Sequence, residues 1–430
     1  MWNKLLLVIK RPLIKSFISL GMLRAASLPL SLVVSVLLAR ELGPEKFGQY
    51  VFVMTVISML SLPVAGGIPA LLTREVAVFS HKMQWGLYRG VIRFAHVWVS
   101  VFSLIVLAVF LSLSGWLPSE SKWQFITLAV FILPFTALAA VRDGALKGLA
   151  KPFYSELPKL LIQPALLLIA FLYLLSTNRL SVENLIYSQI IVAFIIFVLF
   201  SLAFLKLQPA FTSDTKPEYH TKQWGRALLP FTLLALVSSF NTQISLVLLG
   251  VLSTDDQVAA MRVAERGAQF VVLSLTLVNL VVVPYFAKAW RDQNKEQLQH
   301  LARQAARVSF AIALPIGLIL LFGGQTLLGW VFGDEYALSA YYPMAVLVIG
   351  QLFNVFCGSV GYLLSMSGHE KDTLKGHIFS VLLNVLLCAW LIPYYGAVGG
   401  AVAAAVSMAI CNFVLFVFVF LRLSVIPCFS

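Results

Sequence analysis

The stretch SLGMLRAASLPL, residues 19–30, sets one arginine, Arg24, inside an apolar run that continues to residue 39. About 20 largely apolar residues suffice for a helix to cross a bilayer. The rest of the chain repeats this pattern. Of its 430 residues, 60% are hydrophobic, 11% are charged and 32 are phenylalanine. Soluble domains are about a quarter charged. The composition therefore describes an integral membrane protein and excludes a soluble enzyme.

Apolar runs separated by charged or Gly/Pro clusters predict twelve spans. They lie near 16–39, 46–68, 92–114, 122–142, 157–176, 183–205, 227–251, 257–285, 305–328, 338–365, 374–394 and 398–422. Helices are expected throughout, because open strand edges leave backbone groups unsatisfied in hydrocarbon. The alternation of a transmembrane barrel is absent. The opening MWNKLLLVIKRPLIK is basic, then apolar, without a small-residue cleavage site, and reads as a short cytoplasmic lead-in. The net charge of +13 is not a nucleic-acid signal here, because its sidedness matters more. With the N-terminus in the cytoplasm, 25 of the 31 lysines and arginines fall on inner segments. The acids divide evenly, so the asymmetry lies in the bases, as the positive-inside rule requires. Both termini are therefore expected inside. The four cysteines, Cys357, Cys388, Cys411 and Cys428, show no metal spacing and read as free thiols in apolar surroundings.

The two halves echo each other. LLARELGPEKFGQY (37–50) pairs with LLGVLSTDDQVAAM (248–261), each leaving the membrane, turning on an acidic loop and re-entering. The turn at Gly148 and Lys151 pairs with that at Gly368 and Lys371, each followed by a long apolar helix. The expected organisation is a six-helix bundle over 1–210, a cytoplasmic linker over 211–226 and a second bundle over 227–430. Because six is even, both halves enter from the same side, and their pseudo-twofold axis runs along the membrane normal, as in paired transporter bundles.

LLARELGPEKFGQY and GGIPALLTREVA (66–77) resemble the opening of the Wzx-type O-antigen and polysaccharide flippases. LLSMSGHEKDTLKGHIFSVLLNVLLCAWLIPYYGAVGGAVAAAVS (363–407) resembles their late signature, with Gly368, Lys371, Asn384 and a Leu-Ile-Pro-x-x-Gly hairpin. That polysaccharide transporter branch belongs to the multidrug/oligosaccharidyl-lipid/polysaccharide exporter superfamily. The resemblance implies an all-α, V-shaped fold of about twelve spans like that of the MATE transporters. It also implies carriage of an undecaprenyl-diphosphate-linked glycan to the outer leaflet of a bacterial inner membrane, as in O-antigen and lipopolysaccharide biosynthesis, alongside a polymerase and chain-length machinery.

Such a substrate calls for cations at the diphosphate and for amides and hydroxyls at the sugars. Arg24 either snorkels to the headgroups or faces an aqueous cleft, where membrane arginines usually point; the cleft is the favoured reading. In MRVAERGAQF (261–270), Arg262, Glu265, Arg266 and Gln269 follow i, i+3, i+4, i+7 spacing and share one helical face. They read as phosphate or sugar contacts, with Glu265 orienting the arginines or carrying a coupling proton; the plainer reading is an outer-interface ion-pair patch. Asn241 is a candidate sugar contact. Like Gln163, Gln243, Gln351, Asn354, Asn384 and Asn412, it is equally suited to bonding a neighbouring helix. Arg142 and Asp143 are expected to pair at a helix end, His96 to be a satisfied interfacial histidine, and Pro29 and Pro164 to kink their helices.

A multidrug antiporter of the same superfamily is the alternative; cationic drugs would call for buried carboxylates, and the first span offers only Arg24. A major-facilitator transporter would need a short Gly- and Asp/Arg-rich loop where LTREVAVFSHK stands. A membrane enzyme would need a nucleophile–base constellation, and none is visible. The GxxxxGK[ST] signature of ATP binding is absent, and no metal or cofactor is implied.

Overall fold

The computed structural model describes residues 12–113, 115, 121–209 and 215–425. Lys4, Lys10 and Arg11 of the expected lead-in, Cys428, and linker residues 211–214 lie outside the described residues. Among the described residues all regular structure is helical. In chain order the helices are α1 (Pro12–Ala65), α2 (Ile68–His81), α3 (Trp85–Leu113), α4 (Ser121–Ala129), α5 (Ile132–Gly148), α6 (Pro152–Leu157) and α7 (Gln163–Ser176). Then come α8 (Val182–Leu207), α9 (Thr221–Leu252), α10 (Asp255–Arg291), α11 (Lys295–Phe332), α12 (Glu335–Ser339), α13 (Tyr341–Cys357), α14 (Val360–Met366) and α15 (Glu370–Leu423).

Among the described residues, seven helices are long and apolar enough to cross a membrane, or up to ten if each sharply bent pair is one span. The two longest, α1 and α15, have 54 residues each. A straight helix of that length would measure about 80 Å, far beyond a hydrocarbon core of about 30 Å. Each is broken by one glycine: Gly43 at φ 72°, ψ 171° and Gly396 at φ 53°, ψ −129°. Positive φ is inexpensive only without a Cβ, so these glycines divide each helix into two apolar limbs. Gly43 is the only non-helical residue inside α1, and Pro29 passes within the helix without breaking it. Pro164 acts more visibly. The turn before it, Pro158–Ile162, is a π-helix; proline cannot donate to the carbonyl four residues back and its ring crowds that turn, which favours one extra residue per turn.

The second repeat pairing is two residues out of register. The left-handed residue closing each helix is Ala150 in the first half and Gly368 in the second. The following amides, Lys151 and His369, bond back to the Leu146 and Leu364 carbonyls at 3.0 and 2.9 Å. Ala150, not Gly148, thus corresponds to Gly368.

The helices pack as two compact units. One comprises Met1–Leu38 and Val53–Leu236, the other Ala39–Phe52 and Val237–Ser430. These divisions fall inside α1 and α9, whereas the sequence suggested a division at 211–226. In the first unit, Ile68, Leu71, Leu72, Val76 and Phe79 form the apolar stripe of α2 at helical spacing. The stripe packs on α5, where Gly144 and Gly148 permit the approach: a Cβ there would lie 2.7 Å from Pro69 Cα and from Val76 Cβ. Trp224, wholly buried, closes this core.

In the second unit, Phe286, Leu298, Leu363, Leu364, Leu415 and Val419 form one core. Residues 39–52 are seated in this unit. The Tyr336 hydroxyl donates to the Ala39 carbonyl at 3.2 Å, and the Arg40 guanidinium donates to the Trp330 carbonyl. Burial, with Glu335 adjacent, raises the Tyr336 phenol above its ordinary pKa, so it stays a donor. The two acidic turns paired as repeats touch. A Cβ on Gly48 would sit 1.7 Å from the Asp255 carbonyl oxygen, and one on Gly250 would sit 2.0 Å from the Phe52 ring.

Outward-facing residues are strongly apolar. Phe322 is 87% exposed, and Leu386, Trp390 and Tyr394 are also exposed. In water such a surface would drive association; on helices of this hydropathy it is the surface that lipid covers. The chain is a multi-pass membrane protein. Gly48→Ala should cost about 3 kcal/mol, the upper end for overpacking, because the obstructing atom is backbone. Gly21, with open space around its Cα, should tolerate alanine. Thermal unfolding of the purified variants compares the two.

Candidate functional site

The two groups of expected site residues belong to different units. Arg24 lies in the first limb of α1, before Gly43. Leu23 and Ser27 on either side of it are buried, whereas Arg24 itself is exposed. The helix therefore turns Leu23 and Ser27 into the unit, whereas Arg24 lies on its exposed face with Met22, Ala25, Ala26 and Leu28. Arg24 carries no ion pair among the described residues; its own carbonyl accepts from the Ser27 hydroxyl at 2.8 Å.

The stripe of α10 forms in the second unit with the spacing the sequence suggests. Arg262 Nη1 lies 3.2 Å from Glu265 Oε2, and Arg266 Nη1 donates to Gln269 Oε1 at 3.3 Å. Val263, Ala264 and Ala268 anchor the opposite face in the core. Arg262, Glu265 and Arg266 are half-buried and Gln269 is exposed. Arg266 Nε is buried without a partner, so the guanidinium retains an unused donor.

The amides serve largely as connectors. Asn241 donates to the His377 carbonyl at 3.4 Å, tying α9 to α15. Ser245 donates to Asn384 Oδ1 at 3.4 Å. Asn412 donates to Asn354 Oδ1 at 3.0 Å, and Asn354 to Gln351 Oε1 at 3.1 Å. Polar side chains within apolar helices gain most from such bonds, where no water competes. Cys357, Cys388 and Cys411 are buried free thiols.

Two further acids are neutralised locally. Glu75 pairs with Arg74 at 2.7 Å, and Asp372 with Lys375 at 3.3 Å and Arg422 at 3.2 Å. Asp143 overturns one expectation. It does not pair with Arg142. Its buried carboxylate meets Lys159 at 2.6 Å, Lys147 at 3.3 Å and the Ser155 hydroxyl at 2.5 Å. Adjacent helical residues diverge by about 100°, so Arg142 points elsewhere, over the Phe204 ring at 4.7 Å. There it joins Arg89, Arg93 and His96 of α3 around a cavity. The i, i+4, i+7 spacing of those α3 residues was the available sequence signal. Asp143→Ala should destabilise the protein by about 2 kcal/mol, as expected when charged hydrogen bonds are removed, and Asp143→Asn by less. Thermal unfolding of both variants reads this.

A family described as "Polysaccharide biosynthesis protein" matches residues 13–290, and a second, described as "MatE", matches residues 230–390. A Haloferax volcanii protein described as "Probable low-salt glycan biosynthesis flippase Agl15" is 24% identical over 380 residues, covering 86% of this chain and 76% of its own. Among solved structures, an inward-facing multidrug resistance MATE family transporter of the MOP superfamily superposes with TM-score 0.77 at 14% identity, over 92% of this chain and 94% of its own. The lipid II flippase MurJ, in an inward closed conformation, superposes with TM-score 0.73 at 16% identity, over 94% and 89%. These two likenesses establish the fold.

Proposed function

Because the chain belongs to the polysaccharide biosynthesis protein family, we propose that it is a flippase for a polyprenyl-diphosphate-linked oligosaccharide. It would carry a surface-polysaccharide repeat unit, such as O-antigen, from the inner to the outer leaflet of a bacterial inner membrane by alternating access. The likeness to a glycan biosynthesis flippase over most of both chains supports this substrate class.

The observation that carries the reading is the sign of the uncompensated charge. Glu75, Asp143, Glu265 and Asp372 each have a basic partner, whereas Arg24 has no ion pair among the described residues. A transporter of cationic drugs needs the opposite imbalance, despite the match of its family to residues 230–390. In this reading Arg24, Arg262 and Arg266 contact the diphosphate, which guanidinium groups match bidentately. Glu265 orients the arginines, and Gln269 and Asn241 meet sugar hydroxyls. In this reading the limbs beside Gly43 and Gly396 count as separate spans, which would make twelve and put both termini inside; the two glycine breaks support it.

Deletion of the gene in cells fed radiolabelled sugar should leave lipid-linked units on the cytoplasmic face; normal surface glycan would refute the reading. In the same assay Arg24→Ala should lower export at least about tenfold, as loss of a charge-assisted contact implies, and Arg24→Lys should restore part. Full export by the alanine variant would remove Arg24 from the phosphate contacts.

A further inference from the structure

Two adjoining cavities in the first unit differ in chemistry. One, of about 330 Å³, is lined by Tyr88, Arg89, Arg93, His96, Arg142 and Gln208 among others. The second, of about 450 Å³, shares Arg93 and His96 and adds Phe94, Val97, Tyr219 and Thr221. A basic chamber thus opens beside a mainly apolar one. Residues 89, 93 and 96 share one face of α3, while α5 supplies Arg142, α8 supplies Phe204 and Gln208 follows at its C-terminal end.

The basic chamber holds unspent hydrogen-bonding capacity. The Tyr88 hydroxyl, His96 Nε2 and Arg142 Nε are all buried without a partner. His96 Nδ1 lies 2.7 Å from the Ile92 carbonyl. A carbonyl only accepts, so the proton sits on Nδ1, and Nε2 is left as a lone pair or, once protonated, a second donor. Arg89 is partly engaged, donating to the Thr215 carbonyl at 2.6 Å. Arg93 is exposed and has no ion pair among the described residues. No acid lines either chamber among the described residues; Glu218 packs beside Gly86, at the start of α3. Buried polar groups in native proteins nearly always have partners, so two orphan donors on one cationic wall, the Tyr88 hydroxyl and Arg142 Nε, call for a ligand rich in acceptors.

We propose that these chambers bind the phosphate ester of an anionic amphiphile, in the first instance a phospholipid headgroup. The phosphate would sit against Arg142, Arg93 and Tyr88, accepting charge-assisted hydrogen bonds. The stem of the lipid would run along Phe94 and Val97. Basic pockets between membrane helices hold anionic headgroups by this chemistry. The adjoining apolar chamber favours a lipid over free phosphate. The site is distinct from Arg24 and from the α10 stripe.

The full-length protein in nanodiscs of equal phosphatidylglycerol and phosphatidylcholine provides the test, with native mass spectrometry counting retained lipids. Phosphatidylcholine bears the same phosphate, but its choline cancels the charge. The wild type should enrich phosphatidylglycerol about tenfold, as two arginines near an anionic headgroup allow. Arg142→Gln and Arg93→Gln should bring the ratio close to one, and Arg142→Lys should retain part of it. Arg226→Gln, an equal charge change at an exposed α9 position, should retain it in full. Thermal unfolding of every variant separates lost binding from lost fold. In a second arm, inorganic phosphate is titrated onto lipid-free protein in detergent. Stabilisation by phosphate in the wild type but not in Arg142→Gln, without phosphatidylglycerol enrichment, would overturn the lipid assignment and place the phosphate's source in solution. No enrichment and no stabilisation, or an equal loss in Arg226→Gln, would overturn the site itself. Lipid retention is read without any glycan movement, so failure here leaves the flippase reading standing, and the reverse holds.

Discussion

A charge on an apolar helix must find a partner or water, because hydrocarbon offers it neither. That constraint organises the polar side chains of both units. Asp143 draws in two lysines and a serine, Asp372 draws in a lysine and an arginine, and Glu265 takes Arg262. Removing one partner of a desolvated pair leaves an uncompensated charge, which costs far more than the pair contributes. These acids are thus held in local clusters, and the net charge of the chain is positive.

The surplus has a direct bearing on ligand chemistry. Guanidinium groups with unused donors suit phosphate, which offers acceptors in a matching fork. Arg24, Arg266 and Arg142 each have such capacity, on three different helices and in both units. The family to which the chain belongs works on polysaccharide assembly, and its physics here is that of a cation-lined membrane protein rather than an acid-lined one.

Much of this was legible in the sequence, and what was missed has a physical reason. Composition gave the membrane class, and helical spacing gave the α10 stripe, because both depend on neighbours within a few residues. The Pro/Gly hairpin at 393–396 was read as a turn, and it is one. The repeat at 148–151 was misaligned because glycine was taken as the marker; the left-handed position there is held by Ala150, whose identity gives no such sign. Arg142 was misassigned because sequence adjacency was read as spatial adjacency. Lys147, four residues on in the same helix, was within reach of pattern, but Ser155 and Lys159, 12 and 16 residues on, lie across the α5–α6 turn, a separation that pattern does not encode. Nor does pattern encode that α3 and α5 bring four basic side chains to one cavity.

The seating of residues 39–52 against Gly250, Asp255, Trp330 and Tyr336, which come far later in the sequence, bears on how the chain is made. Phe47, Gly48 and Phe52 leave the ribosome long before Asp255, Trp330 and Tyr336 exist. Their hairpin must be threaded into the bilayer and then wait, its close-packing surface bare, until synthesis reaches the second half. Early apolar limbs thus enter the membrane on hydropathy alone, and the native seat of this hairpin is among the last parts of the molecule to be completed.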